Sequence, residues 1–387
     1  MTDKLPRAAW PRRARRGAIA LSTAALSVLA ACSSGSPSGS ATGPSATSAV
    51  DTLIMANAVK VDTLDPEQNS VNESIWIDQN LYSRLVAPDA TGTKIVPDLA
   101  TSWDVSPDKL TYTFHLRDAK FADGTPVTAQ DAVWSIERSR KLDGGWGFLI
   151  TAVKSITAPD SKTVVVKLAQ PHAPLLADLA MYAYSVLRRQ EVEAKGNAFF
   201  SKPVGSGPFV VTSYNPDSEI DFTVNKYWYG TKPKIKNIKL QIITDDNTRL
   251  LDLQAGKVDV IENPPSNLVK QINANPKLKS DLFPSTRVDF IQLSTRNQYF
   301  KNVKVRQAVR AALDLNEMNK LAYQGTAVPA TSFMPYKMQF WDADLPEPAV
   351  DLAKARNLLA QAGFPNGFTT NIITVSGDAA EIGRAHV

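Results

Sequence analysis

Hydrophobic and polar positions alternate strictly along residues 109–118, KLTYTFHLRD. Leu110, Tyr112, Phe114 and Leu116 fall on one side, and Thr111, Thr113, His115 and Arg117 on the other. A period of two is the pattern of a half-buried antiparallel strand. ADGTP follows and supplies an Asp-Gly turn. The period then becomes helical in VTAQDAVWSIERSR, with Thr128 as N-cap and Asp131 at the reciprocal position of a capping box. TVVVKLAQP predicts another strand, ended by Pro171.

The order of elements changes from Ile235 onward. IKNIKLQII predicts a strand. DDNTRLLDLQAG predicts a helix with an Asp/Asn start and a stop at Gly256. KVDVI predicts the next strand, so the three form a βαβ unit and require some parallel sheet. Val305, Ala308, Val309, Ala312 and Leu313 share one apolar helical stripe. DLAKARNLLAQAGFP repeats that logic, with Leu352, Ala355, Leu359 and Ala362 inside and Gly363 and Pro365 as the stop. GFTTNIITVS predicts a late strand, with Ile372, Thr374 and Ser376 on one face and Ile373 and Val375 on the other. No internal repeat appears. The pattern describes a mixed α/β body of at least two lobes.

Composition adds little to this picture, and charge placement adds more. The 387 residues are 43% hydrophobic and 21% charged, as in an ordinary soluble protein. The whole formal charge of +5 sits in residues 1–31, where Lys4, Arg7, Arg12, Arg13, Arg15 and Arg16 face only Asp3. The remainder is charge-balanced and has no basic stripe, which removes the electrostatic case for a nucleic-acid partner.

That basic start precedes an apolar run from Ala18 to Ala31, too short for a membrane-spanning helix and suited to a secretory signal peptide over 1–31. Cys32 is the single cysteine, so no internal disulfide can form. Leu29, Ala30, Ala31 and Cys32 together resemble the lipobox of bacterial lipoproteins. The resemblance implies cleavage before Cys32 and lipidation of its thiol, and hence anchoring to the membrane. The export route, Sec or twin-arginine, stays open. Residues 32–50 are rich in Ser, Gly, Thr and Pro and should form a flexible tether.

Catalytic constellations are missing. His115 lies on a polar strand face and His172 between two prolines; the third histidine is His386. No pair has metal-ligand spacing, so no metal site or cofactor is expected. VGSGPF lacks the glycine spacing of a nucleophile elbow, and its residues 205–208 suggest a tight backbone crossing. Asp245 and Asp246 begin a helix, where capping explains them. Aromatic residues are more informative. Trp146 and Phe148 stand in the glycine-rich GGWGFL, and Phe333, Met334, Tyr336, Met338, Phe340 and Trp341 crowd the loop TSFMPYKMQFWD. An apolar loop either buries itself or binds something. No enzyme is expected, although carboxylates alone leave a secreted hydrolase as the rival class.

Taken in order, VDTLDP, the run from YSRLVAPD through FADGTPVTAQDAVWSIER, VGSGPF, NKYWYG, LQAGKVDV and KVRQAVRAALDLNEMNKLAYQG resemble the peptide/nickel-binding class of bacterial extracellular solute-binding proteins. The likeness runs from about Thr52 to Phe368. It implies an α/β, two-lobed periplasmic-binding-protein-like fold with an extra subdomain in lobe one. Lobe one would comprise 51–75 and 200–286, the extra subdomain 76–199, and an incomplete lobe two 287–380. The implied protein is a monomer that closes about a hinge on peptides and delivers them to an ABC permease and its ATPase. A metal chelate, an oligosaccharide or an opine are alternative cargoes. By position in the family, Trp146, Phe148, Arg296 and Asn297 (in LSTRN, at a strand end where lobe two begins), Tyr336 and Trp341 are the ligand-binding candidates. The acid that pairs with a peptide amino terminus in the family falls beyond residue 387. Residues 381–387, EIGRAHV, match the translation of a common sequencing adapter and are expected to be non-native, which agrees with a second lobe cut short.

Overall fold

A computed structural model describes residues 51–69, 72–283, 285, 287–338 and 341–373. The expected signal peptide, Cys32, the tether and the tail lie outside the described residues. The chain enters through β1 (Thr52–Asn57) and α1 (Asn72–Leu81), then forms β2 (Val86–Pro88), β3 (Ile95–Pro97), β4 (Ala100–Val105) and β5 (Thr111–Leu116). Next come α2 (Ala129–Lys141), β6 (Val153–Thr157), β7 (Thr163–Leu168), α3 (Leu175–Leu179) and α4 (Arg189–Lys195). β8 (Phe209–Asn215), β9 (Glu219–Val224), β10 (Asn237–Ile242), α5 (Asp246–Gln254), β11 (Val260–Ile261) and α6 (Ser266–Ala274) follow. The last described elements are α7 (Val303–Ala312), α8 (Leu315–Tyr323) and α9 (Leu352–Gln361). No helix among the described residues is long and apolar enough to cross a membrane.

Two main sheets organise these elements. The first has the order β11-β1-β10-β9-β8, and the second β4-β5-β7-β6. The alternating segment is β5, antiparallel to both β4 and β7, with Tyr112 and Phe114 buried as its period requires. The βαβ unit is present too. β10 and β11 each run parallel to β1, which lies between them, and α5 makes the connection. Asp245 caps α5 by accepting from the Thr248 amide, and Gly256 turns the chain away at φ +70°. In α2, Thr128 and Asp131 form the full reciprocal capping box. That helix buries Ala129, Ala132, Ser135, Ile136 and Ser139.

Each sheet has its own apolar core. Phe114, Phe121, Ile136, Val164 and Val166 belong to the core beside the four-stranded sheet. Leu64, Ile77, Leu81, Phe199, Ile220, Phe222 and Leu240 belong to that of the five-stranded sheet. Residues 205–208 make the expected tight crossing. The Gly207 amide donates to the Leu81 carbonyl at 2.9 Å, and the Ala122 amide to the Gly205 carbonyl at 2.8 Å. A Cβ on Gly207 would lie 2.4 Å from the Asn80 carbonyl oxygen, so the two backbones touch only because no side chain intervenes. Tyr229, from NKYWYG, adds a second clasp. Its hydroxyl is hydrogen-bonded to Ser83 Oγ at 2.9 Å and to Asp98, while the Arg117 guanidinium sits 4.7 Å from its ring centre.

Three expectations fail after β11. The strand read at LSTRN is not formed; the described residues from 288 to 294 belong to no strand, and a turn follows in which the Asn297 amide donates to the Ser294 carbonyl at 3.0 Å. The late strand is also absent over its described part, and Ile373 is 96% exposed. In α9 only Ala355 is buried, and Leu352 is 50% exposed. α7 buries Val305, Ala308 and Ala311, leaving Val309, Ala312 and Leu313 partly covered. The causes are related. A strand is defined by a partner's amides and carbonyls. Here Ala308, Ala311 and Ala355 form a small core of their own, and no sheet among the described residues follows β11 to cover the rest of either stripe.

Candidate functional site

GGWGFL forms an irregular turn that runs into a short 3-10 segment at Gly147–Ile150. The Trp146 ring lies 5.9 Å from that of Phe148 and meets Tyr182 edge-on at 5.7 Å. Hydrogen bonds fix this group from behind. The Tyr184 hydroxyl donates to the Trp146 carbonyl at 2.7 Å, and the Tyr182 hydroxyl to the Asn69 carbonyl at 3.0 Å. Tyr182 is buried, Trp146 is partly buried, and Phe148 is 64% exposed. The result is an anchored aromatic platform that offers one ring to solvent, an arrangement suited to holding an apolar group.

The loop at 61–69 that receives Tyr182 carries a buried polar junction. Arg138 on α2 binds Asp65 through two hydrogen bonds, of 2.7 and 3.1 Å. Glu67 Oε2 lies 2.7 Å from Arg138 Nη1, and among the described residues its Oε1 has no hydrogen-bond partner. Asp78 on α1 accepts from Asn69 Nδ2 at 2.7 Å through Oδ2, and among the described residues its Oδ1 has no partner. Burial pushes the Glu67 carboxyl up to about 8 against the pull of Arg138. Burial likewise pushes the Asp78 carboxyl up to about 8 against the Asn69 hydrogen bond. Sequence reading missed this junction. Its only trace was the placing of acids inside the apolar stretches VDTLDPEQ and SIWIDQ.

The other candidates form separate groups. Tyr336 and Trp341 meet edge-on at 4.9 Å, and Lys337 Nζ stands 4.9 Å over the Tyr336 ring. Asn297 is partly buried and accepts from the Tyr299 amide at 2.9 Å, so its side chain shapes a turn; Arg296 is exposed beside it. Among the described residues, no hydrogen bond, ion pair or ring contact joins these groups to Trp146 and Phe148. Both described histidines pair with acids. His115 Nε2 lies 2.8 Å from Asp104 and His172 Nε2 lies 2.7 Å from Asp178.

Residues 94–384 match the model for bacterial extracellular solute-binding proteins, family 5 Middle. The heme-binding protein A of Haemophilus influenzae is 31% identical over 382 residues, which cover 90% of this chain and 69% of that protein. The dipeptide-binding protein of Escherichia coli is 31% identical over 320 residues, covering 76% of this chain and 59% of the relative. Among solved structures, the ABC transporter-associated periplasmic binding protein DppA from Helicobacter pylori, in complex with peptide STSA, has a TM-score of 0.75 and 30% identity. That likeness covers 82% of this chain and 67% of DppA. The chain therefore spans between 59% and 69% of the length of these proteins.

Proposed function

The chain belongs to the family 5 bacterial extracellular solute-binding proteins, and on that premise we propose that it captures peptides and delivers them to an ABC permease driven by its ATPase. The observation that carries this reading is the shared fold with a binding protein whose solved structure holds the peptide STSA. An extended peptide is held through its main chain, which leaves its side chains to pockets, and the Trp146–Phe148 surface supplies apolar area for one of them. Arg296, Asn297, Tyr336 and Trp341 stand as the candidates opposite, on lobe two at 287–380. Lobe one is taken as 51–75 and 200–286, with the extra subdomain at 76–199. In support, the core of the four-stranded sheet draws on residues from Leu85 to Val186, inside that insert. The relatives are solute-binding proteins, so capture without turnover is the expected activity. Anchoring through a lipid on Cys32, on the outer face of the cytoplasmic membrane or in the periplasm, completes the proposal.

The heme-binding relative favours a second reading, in which an aromatic surface takes a porphyrin. Mass spectrometry of small molecules released on denaturing the purified protein separates the two. Peptides are expected. A porphyrin would move the assignment to the second reading. Neither, combined with no saturable uptake of added peptide or hemin, would overturn both.

A further inference from the structure

Three tyrosine hydroxyls hold the loop at 61–69 by its carbonyl oxygens. Tyr214 donates to Val61 at 2.6 Å, Tyr82 to Leu64 at 2.7 Å, and Tyr182 to Asn69 at 3.0 Å. The same loop brings Asp65 and Glu67 against α1 and α2, where the two cores meet. One guanidinium stands there among three carboxyl groups and pairs with two of them. Asp65 takes both hydrogen bonds from Arg138, Glu67 shares its charge, and Asp78 has, among the described residues, only the neutral Asn69. Asp65, Glu67 and Asp78 are all buried.

We propose that Asp65, Glu67, Asn69, Asp78 and Arg138 form a proton-operated latch between the two cores, which fixes the aromatic platform while protonated and releases it on ionisation. With Asp65 balanced by Arg138, ionising Glu67 and Asp78 leaves two negative charges in a space closed to water. A buried charge without a partner is expensive, and the structure relieves it either by taking a proton or by opening. The upward displacement of both carboxyls by burial agrees with the first route at neutral pH. At higher pH the strain falls on the loop, which belongs to neither sheet and is held by the three tyrosine hydrogen bonds. Its movement reaches the platform through Tyr182, which ties Asn69 on one side and abuts Trp146 on the other.

The groups facing the latch come from every element around it. The loop contributes Asp65 and Glu67, with Asp62 acting on Tyr214. α1 contributes Asp78, and Tyr82 follows directly after it. α2 contributes Arg138, and Arg140 acts on Tyr184. The segment from 172 to 184 contributes Tyr182 and Tyr184, with Asp178 already paired to His172. Arg138 and Arg140 are the cations among these groups, and Arg140 is engaged by Glu137 and the Val153 carbonyl.

Regulation of ligand capture by this latch rests on the proposed peptide reading, but the latch itself is tested without ligand. Near-ultraviolet circular dichroism of the free protein is followed from pH 6 to 9.5, with hydrogen exchange at 61–69 corrected for the intrinsic rate. The expected result is loss of the aromatic signal and of loop protection centred near pH 8, with the far-ultraviolet spectrum unchanged. The double variant Glu67→Gln/Asp78→Asn, which imitates the protonated form, should keep the aromatic signal throughout. A flat wild-type titration overturns the latch, whether or not the variant folds. So does an undiminished transition in the folded variant or in both single variants. Peptide titrations at pH 7 and 9 then read the coupling, with a weakening of about tenfold expected. Peptide affinity independent of pH would end the regulatory claim and leave capture standing. A pH transition without any peptide binding would leave the latch standing and end both peptide capture and its regulation.

Discussion

A Cβ on Gly205 would stand 1.9 Å from the carbonyl oxygen of Leu81. The obstacle is backbone at the end of α1, so no side-chain rotation can relieve it. Gly205→Ala must therefore pry the crossing open, break the Gly207–Leu81 hydrogen bond, and disturb both cores at once. Overpacking of this kind costs about 3 kcal/mol or more. A fall in the urea midpoint is the expected outcome, and an unchanged midpoint would show that the crossing is looser than described.

Tyr229→Phe removes one oxygen and keeps the ring. Asp98 loses a donor that Ser83 cannot replace, because the Ser83 hydroxyl is engaged with the Ser206 carbonyl at 3.1 Å. Leaving a partly buried carboxylate short of a donor costs about 1–3 kcal/mol. The loss should show as weakened hydrogen-exchange protection from Ser83 to Ala100, where the clasp joins the crossing to β2, β3 and β4.

Thr128→Ala tests the capping box in isolation. The Asp131 amide donates to the Thr128 hydroxyl oxygen, and the Thr128 amide donates in turn to the Asp131 carboxylate. The expected loss is about 1 kcal/mol, read from the urea midpoint, with Thr128→Ser recovering most of it.

Stability should fall as pH rises from mildly acid to mildly alkaline. Glu67 and Asp78 keep their protons to about pH 8 in the fold, against ordinary values of 4.5 and 3.8. Between those limits the folded chain holds more protons than the unfolded one, so the free energy of unfolding decreases with pH. Their contribution is complete below their ordinary values and gone once pH passes their folded values. Unfolding at pH 5, 6.5 and 8 checks the sign. Glu67→Gln should flatten the slope, and a rising slope in the wild type would contradict the assignment.

How much of this was legible in the sequence depended on how local each cause was. The capping box of Thr128 and Asp131, the alternation of β5, and the Asp245 and Gly256 ends of α5 are written in neighbouring residues, and all appear as read. The crossing at VGSGPF was legible because Gly205 and Gly207 lack the Cβ that would hold two backbones apart. By contrast, Asp65 and Arg138 are 73 positions apart. No period or motif joins them, so the buried junction had to be seen in three dimensions. The strand expected at LSTRN failed for a related reason: β-pattern names a strand only when a partner edge exists. The pairing of Trp146 with Phe148 could be guessed from spacing, but the tyrosines that anchor it lie on a distant segment.

Calorimetric titration of the folded protein with di- to tetrapeptides, side by side with Phe148→Ala, tests peptide capture on the aromatic platform most directly. Phe148 is largely exposed, so its removal should leave the melting temperature unchanged. Saturable one-to-one binding by the wild type is expected, weakened about tenfold in the variant through loss of aromatic contact. Absence of saturable peptide binding by a cooperatively folded wild type, or equal affinity in the two proteins, would contradict it.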